Sequence, residues 1–168
     1  MEAIQQHQIF EEWIKDHKAL LFKVIRSYAL EEEDRNDLFQ EICLQLFRSI
    51  PNFRKKSSTS TWIYRICLNT AIKWSLKEKS QQQRQAEVKE ISHLLTIKEE
   101  PDERLSWLYD TIRSFHEIDK SMILLFLDGY SYREISNLTG ISESNVGVKI
   151  HRIKKQLAAL AKEYEYGI

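Results

Sequence analysis

Glycine and proline are scarce in this chain: four Gly and two Pro among 168 residues. Because those residues punctuate strands and tight turns, their scarcity argues against a β-rich fold. There is also no useful run of apolar and polar alternation and no Asn-Gly hairpin dipeptide, so the expected fold class is all-α. Cysteine is nearly absent. Cys43 and Cys67 stand alone in helical surroundings, which suits two small buried residues in a reducing compartment better than a disulfide or a metal pair. The five histidines, at 7, 17, 93, 116 and 151, keep no ligand spacing with them. No Gly-rich phosphate loop or nucleophile motif occurs, so no cofactor, no metal and no enzymatic activity are expected. Missing too is any apolar run of about 18 residues. The N-terminal MEAIQQHQIFEEW lacks a signal peptide's charged start and apolar middle, and the expected location is the cytoplasm, with no membrane-embedded part.

Net charge of either sign is absent as well, with 25 Lys and Arg against 25 Asp and Glu, yet the balance hides segregation. Basic residues number 6 against 10 acidic over 1–50, 9 against 3 over 51–90, 5 against 9 over 91–140 and 5 against 3 over 141–168. Contact with nucleic acid follows local charge, so the two basic blocks are candidate DNA surfaces. The 42% of hydrophobic residues supply enough material for a core.

Apolar spacing predicts one long or two abutting helices over Ile9 to Tyr28, then a helix from about Asp34 to Ile50 that stops at Pro51. A third starts near Thr61, with Ser60 or Thr61 as its cap, and continues at least to Lys79. These three make a domain over 1–79. Residues 80–100 are polar and form the expected linker, and after Pro101 a four-helix domain follows over 101–168. Its apolar helix, Met122 to Leu127, ends at Asp128-Gly129.

The run from Ser131 to Leu157 carries the most specific pattern. Ser131 with Glu134 three residues on makes a capping box, Gly140 provides a turn, and Ser142 caps the next helix. With Val146 on the inner face, Ile150, Ile153 and Leu157 fall beside it, while Ser144, Val148, His151, Arg152 and Lys155 point outward. The result is a helix-turn-helix whose second helix presents a basic face to duplex DNA. Gly147 and Val148 offer no bidentate base contact, although Val148 suits a thymine methyl.

Two further stripes are legible in the N-terminal half. Asp37, Gln40, Glu41, Leu44, Gln45 and Arg48 share one face of the second helix, opposite the core stripe Leu38, Ile42, Leu46 and Ile50. An apolar Leu44 among carboxylates and amides suits a protein partner. In the third helix Arg65, Asn69 and Lys73 align at four-residue intervals, extended by Trp62 and Lys77, while Trp74 reads as a core anchor. Beside them lies the basic loop NFRKKSSTS, 52–60. Cations, amides and aromatics next to a Ser/Thr loop suit unstacked single-stranded bases.

Together, DLFQEICLQLF at 37–47, NFRKKSSTSTWIYRICLNTAIKW at 52–74 and the final helix-turn-helix resemble bacterial RNA polymerase sigma factors of the small extracytoplasmic function group. The resemblance implies a factor that lends core RNA polymerase its promoter specificity. It implies docking on the clamp helices of the largest polymerase subunit through Asp37, Gln40, Glu41, Leu44 and Gln45, with the flap region as a second contact. For the −10 strand it implies Phe53, Arg54, Lys55, Lys56, Ser57, Ser58 and Thr59 of the loop, with Trp62, Arg65, Asn69 and Lys73 of the helix. For −35 duplex DNA it implies Ser142, Ser144, Asn145, Val148, Lys149, His151, Arg152 and Lys155. An anti-sigma factor is a further implied partner. This chain departs from many relatives in having Lys55 where Gly is common, Thr59 where an aromatic is common, and Cys43 where an aromatic is common in the docking helix. The rival reading from the residues is a stand-alone helix-turn-helix regulator with a sensing or dimerising N-terminal bundle.

Overall fold

A computed structural model describes residues 3–80 and 102–166. Among them are eight α-helices, one 3-10 turn and no strand, in agreement with the expected all-α class. Contacts group the chain into two units, Met1–Asp110 and Thr111–Ile168. Apart from Ser80, which closes a helix, the expected linker 80–100 lies outside the described residues.

In the first unit the segment read as one or two helices is two, α1 (Ala3–Asp16) and α2 (Lys18–Tyr28). The break is His17, whose φ of −117° and ψ of 24° leave the helical region. Backbone bonds still cross it: His17 N–H reaches the Trp13 carbonyl at 3.2 Å, and Leu21 N–H reaches the His17 carbonyl at 3.0 Å. The next helix, α3 (Glu32–Ser49), opens with Glu32, Glu33 and Asp34, which complement the positive end of its dipole. Pro51 supplies no N–H, and the chain tightens there into the 3-10 turn Ile50–Asn52.

Helix α4 (Thr59–Ser80) starts earlier than its spacing suggests, because its cap is Ser58 and not Ser60 or Thr61. A capping hydroxyl accepts from an N–H two or three residues ahead, and Ser58 Oγ lies 3.1 Å from Thr61 N. The core of the unit joins Val24 and Ile25 of α2, Leu38, Ile42 and Leu46 of α3, and Ile63, Cys67 and Ala71 of α4. Cys67 is enclosed and Cys43 half-buried, and both are free. Burial pushes the Cys43 thiol up to about 12 and the Cys67 thiol up as well, so both behave as small apolar groups.

The boundary between the units falls within α5 (Glu103–Arg113). Beyond it come α6 (Glu117–Leu127), α7 (Tyr132–Thr139) and α8 (Glu143–Tyr166). The apolar run Met122 to Leu125 is fully enclosed, but α6 begins five residues before Met122, where acidic Glu117 and Asp119 occupy the first turn. At its end Gly129 takes a φ of +86°, and Tyr130 N–H closes on the Leu125 carbonyl at 3.1 Å.

Candidate functional site

Helix α3 keeps Leu38, Ile42 and Leu46 in the core, joined by Phe39, and Ile50 of the 3-10 turn completes the stripe. On its other side Asp37, Leu44 and Arg48 are exposed, while Gln40, Glu41 and Gln45 are half-buried. The stripe divides into two rows. Asp37, Glu41 and Gln45 line a groove of about 410 Å³ whose other wall is α4, with Asn69, Lys73 and Trp74 among its residues. Gln40, Leu44 and Arg48 form the second row, outside the groove. Trp74 is buried, as read from the sequence, and its indole N–H donates to Asp37 Oδ2 at 2.9 Å. Gln45 Nε2 donates to Glu41 Oε1 at 2.9 Å, fixing the groove's middle turn.

Across α4, Arg65, Asn69 and Lys73 are exposed on one face, four residues apart. The loop before them presents Arg54, Lys55, Lys56, Ser57 and Ser58 to solvent, with Thr59 half-buried as the first helical residue. Lys55 sits at φ 55°, a left-handed backbone that favours glycine. Phe53 and Trp62 are half-buried in an aromatic row: the Trp13 and Phe53 ring centres lie 5.4 Å apart, and those of Phe53 and Trp62 5.5 Å apart. Trp62 Nε1 also donates to Ser49 Oγ at 3.2 Å, which anchors the loop's far end to α3.

In the second unit Ser131 and Glu134 form a complete capping box: Glu134 N–H donates to Ser131 Oγ at 3.2 Å, and Ser131 N–H donates to Glu134 Oε2 at 2.7 Å. Those bonds from Ser131 hold the Glu134 carboxyl below the usual range. Gly140 ends α7 at a φ of +76°. The Ser142 cap is a long bond, with Asn145 N–H 3.4 Å from Ser142 Oγ. Val146, Ile150 and Ile153 are fully enclosed, while Ser142, Ser144, Asn145, Val148, His151, Arg152 and Lys155 are exposed. At Gly147 a Cβ would lie 3.4 Å from the Tyr132 ring of α7, an ordinary contact distance. Lys149 is only half-exposed, for a reason the sequence does not advertise. Asp119 of α6, buried, receives Lys149 Nζ and Arg152 Nη2 at 3.3 Å each. Contacts spanning 30 and 33 residues leave no local signal.

These surfaces coincide with two matched segments: the family model for sigma-70 region 2 covers residues 13–81, and that for sigma-70 region 4 covers 105–157. The chain belongs to the sigma-70 family. Its relatives place it in the extracytoplasmic function group. It is 27% identical to RNA polymerase sigma factor SigV of Bacillus subtilis over 158 residues, 89% of this chain and 90% of that one. To the extracytoplasmic function sigma factor SigX of the same organism it is 25% identical, over 92% of this chain and 84% of that one. Among solved structures, CnrH in complex with the cytosolic domain of CnrY shares the fold, with a TM-score of 0.63, 21% identity, and coverage of 93% of this chain and 89% of that one. This sigma factor therefore directs promoter-specific transcription and is not an enzyme. Core RNA polymerase and promoter DNA are its partners as a family member. No helix among the described residues is long and apolar enough to cross a membrane.

Proposed function

We propose that the chain divides its work between residues 1–79, which dock core polymerase and capture the melted −10 strand, and residues 101–168, which hold the −35 duplex, with 80–100 connecting them. The observation that carries this reading is the pairing of two exposed basic faces with one acidic stripe. Arg65, Asn69 and Lys73 stand beside the exposed 54–58 loop, and α8 presents a second basic face above a capped turn. Asp37, Gln40, Glu41, Leu44 and Gln45 supply the acidic and apolar chemistry for a polymerase surface.

In this reading binding energy drives strand opening. Each base-pair step lost costs on the order of 1.4 kcal/mol of stacking. Stacking of an extruded base on an aromatic or guanidinium plane returns about 1–3 kcal/mol. Arg65, Asn69 and the loop receive the bases, and the flexible cations of the loop meet phosphates. On the duplex side, Ser144, Asn145 and Val148 lie near the start of α8, where base edges are met, and His151 and Lys155 follow towards the backbone, with Arg152 between them. The charge separation along the chain also provides an acidic and a basic surface for an anti-sigma partner that sequesters it in the cytoplasm.

The test mixes the purified chain with sigma-free core polymerase and a library of promoter fragments. Transcripts that start downstream of a shared two-part element are expected. Tight operator binding by the chain alone, with no stimulation of core enzyme, overturns the reading in favour of a stand-alone regulator. Within the positive result, Asn69→Ala is expected to reduce open-complex formation with little loss of core binding, and Glu41→Lys to weaken core binding while the chain stays folded.

A further inference from the structure

Asp119 lies at the third position of α6, 7% exposed as a residue. Its two carboxylate oxygens are divided between two cations of α8: Oδ1 is 3.3 Å from Lys149 Nζ, and Oδ2 is 3.3 Å from Arg152 Nη2. Lys149 and Arg152 are three residues apart and so neighbours on one helical face. The side-chain exposures are unequal: 10% for Asp119, 36% for Lys149 and 57% for Arg152. The anion is fixed inside the fold while its partners reach towards solvent.

A buried carboxylate requires compensation, and here two cations provide it. The arrangement acts in both directions. Lys149 and Arg152 are held against α6 at a defined height along α8, and the three groups together carry one net positive charge where two free cations would carry two. A DNA phosphate approaching either cation competes with a carboxylate already in place. Attraction to phosphates is the sequence-independent part of DNA binding, each neutralised phosphate adding about 0.9 to the slope of log affinity against log salt. Because competing sites vastly outnumber promoters, a smaller sequence-independent term improves discrimination.

We propose that Asp119 is a specificity-determining residue: it ties Lys149 and Arg152 back from the DNA backbone and so restrains non-specific duplex binding by the helix-turn-helix. The inference rests on the assignment of α8 as the duplex-reading helix. Lys155, exposed about one helical turn beyond Arg152, supplies the contrast, since Asp119 holds Lys149 and Arg152 but not Lys155.

The experiment measures binding of the full chain to a labelled mixed-sequence duplex, a little over two helical turns long and lacking any promoter element, across a salt series. Asp119→Asn is expected to bind severalfold more tightly at low salt, with a slope steeper by about one. Arg152→Gln alone is expected to change the slope by well under one, and by about one in the Asp119→Asn background; Lys155→Gln is expected to make it shallower by about one. Unchanged or weaker binding by a folded Asp119→Asn chain, with the Lys155→Gln loss intact, overturns the proposal while leaving α8 on the duplex. A flat response to Lys155→Gln overturns the α8 assignment and the proposal with it. Should circular dichroism show Asp119→Asn unfolded, the two single cation variants decide: equal slope losses for Arg152→Gln and Lys155→Gln overturn the tie, and unequal ones in the expected order support it.

Discussion

Trp74 and Asp37, on neighbouring helices and both lining the groove between α3 and α4, are joined by an indole N–H···carboxylate bond of 2.9 Å. Asp37 thus holds the helix pair together besides standing on the face proposed for polymerase. Asp37→Ala is expected to lower stability by about 1 kcal/mol, and Asp37→Asn by less, since the amide oxygen still accepts from the indole. Urea unfolding of the two variants checks the order; equal losses would place the effect on charge instead of on the bond.

Lys55 holds a left-handed backbone, which costs a residue with a Cβ roughly 1–2 kcal/mol. Glycine removes that strain but adds freedom to the unfolded chain, worth about 0.5–1 kcal/mol the other way. Lys55→Gly is therefore expected to stabilise the chain slightly, by up to about 1.5 kcal/mol on these same terms. It should also weaken single-strand binding at low salt. A denaturant midpoint that falls instead would show that the Lys55 side chain stabilises the loop.

Gly147 lies in the interior of α8, where alanine is favoured by about 0.8–1.0 kcal/mol. The added methyl would meet the Tyr132 ring at 3.4 and 3.5 Å, ordinary contact distances. Gly147→Ala should raise the melting temperature, while a bulkier Gly147→Val should lower it by driving into the ring. Thermal unfolding followed by circular dichroism distinguishes the two.

Glu134 contributes through its ionised form, because the Ser131 bonds lower its pKa in the folded state. A depressed carboxyl stabilises above its unfolded pKa and ceases to do so as pH falls through the folded value. Glu134→Ala should lower the melting temperature at neutral pH, and the gap from the parent chain should narrow in acid. A gap that stays constant across that range would assign the effect to helix propensity alone.

Local patterns carried most of the architecture. The Ser131 to Glu134 spacing, the glycine at 140 and the interval from Val146 to Ile153 are short-range signals, and each has its structural counterpart. The Ser58 cap lay within an unbroken run of Ser and Thr residues, any of which can accept a backbone N–H, so spacing alone did not single it out. Long-range polar pairing left no trace in sequence: neither the Asp119 bridge nor the Trp74 bond to Asp37 obeys a period. The splitting of the α3 stripe also depends on where α4 lies against it, which helical spacing within α3 does not encode.

The groove between α3 and α4 has a thermodynamic consequence. Glu41 and Gln45 stand on one wall and Asn69 and Lys73 on the other. If polymerase takes the first wall and the melted strand the second, as proposed, any coupling between them is reciprocal: whatever factor polymerase adds to strand affinity, the strand adds to polymerase affinity. Where that factor exceeds one, promoter opening tightens the grip of the enzyme on its own specificity factor.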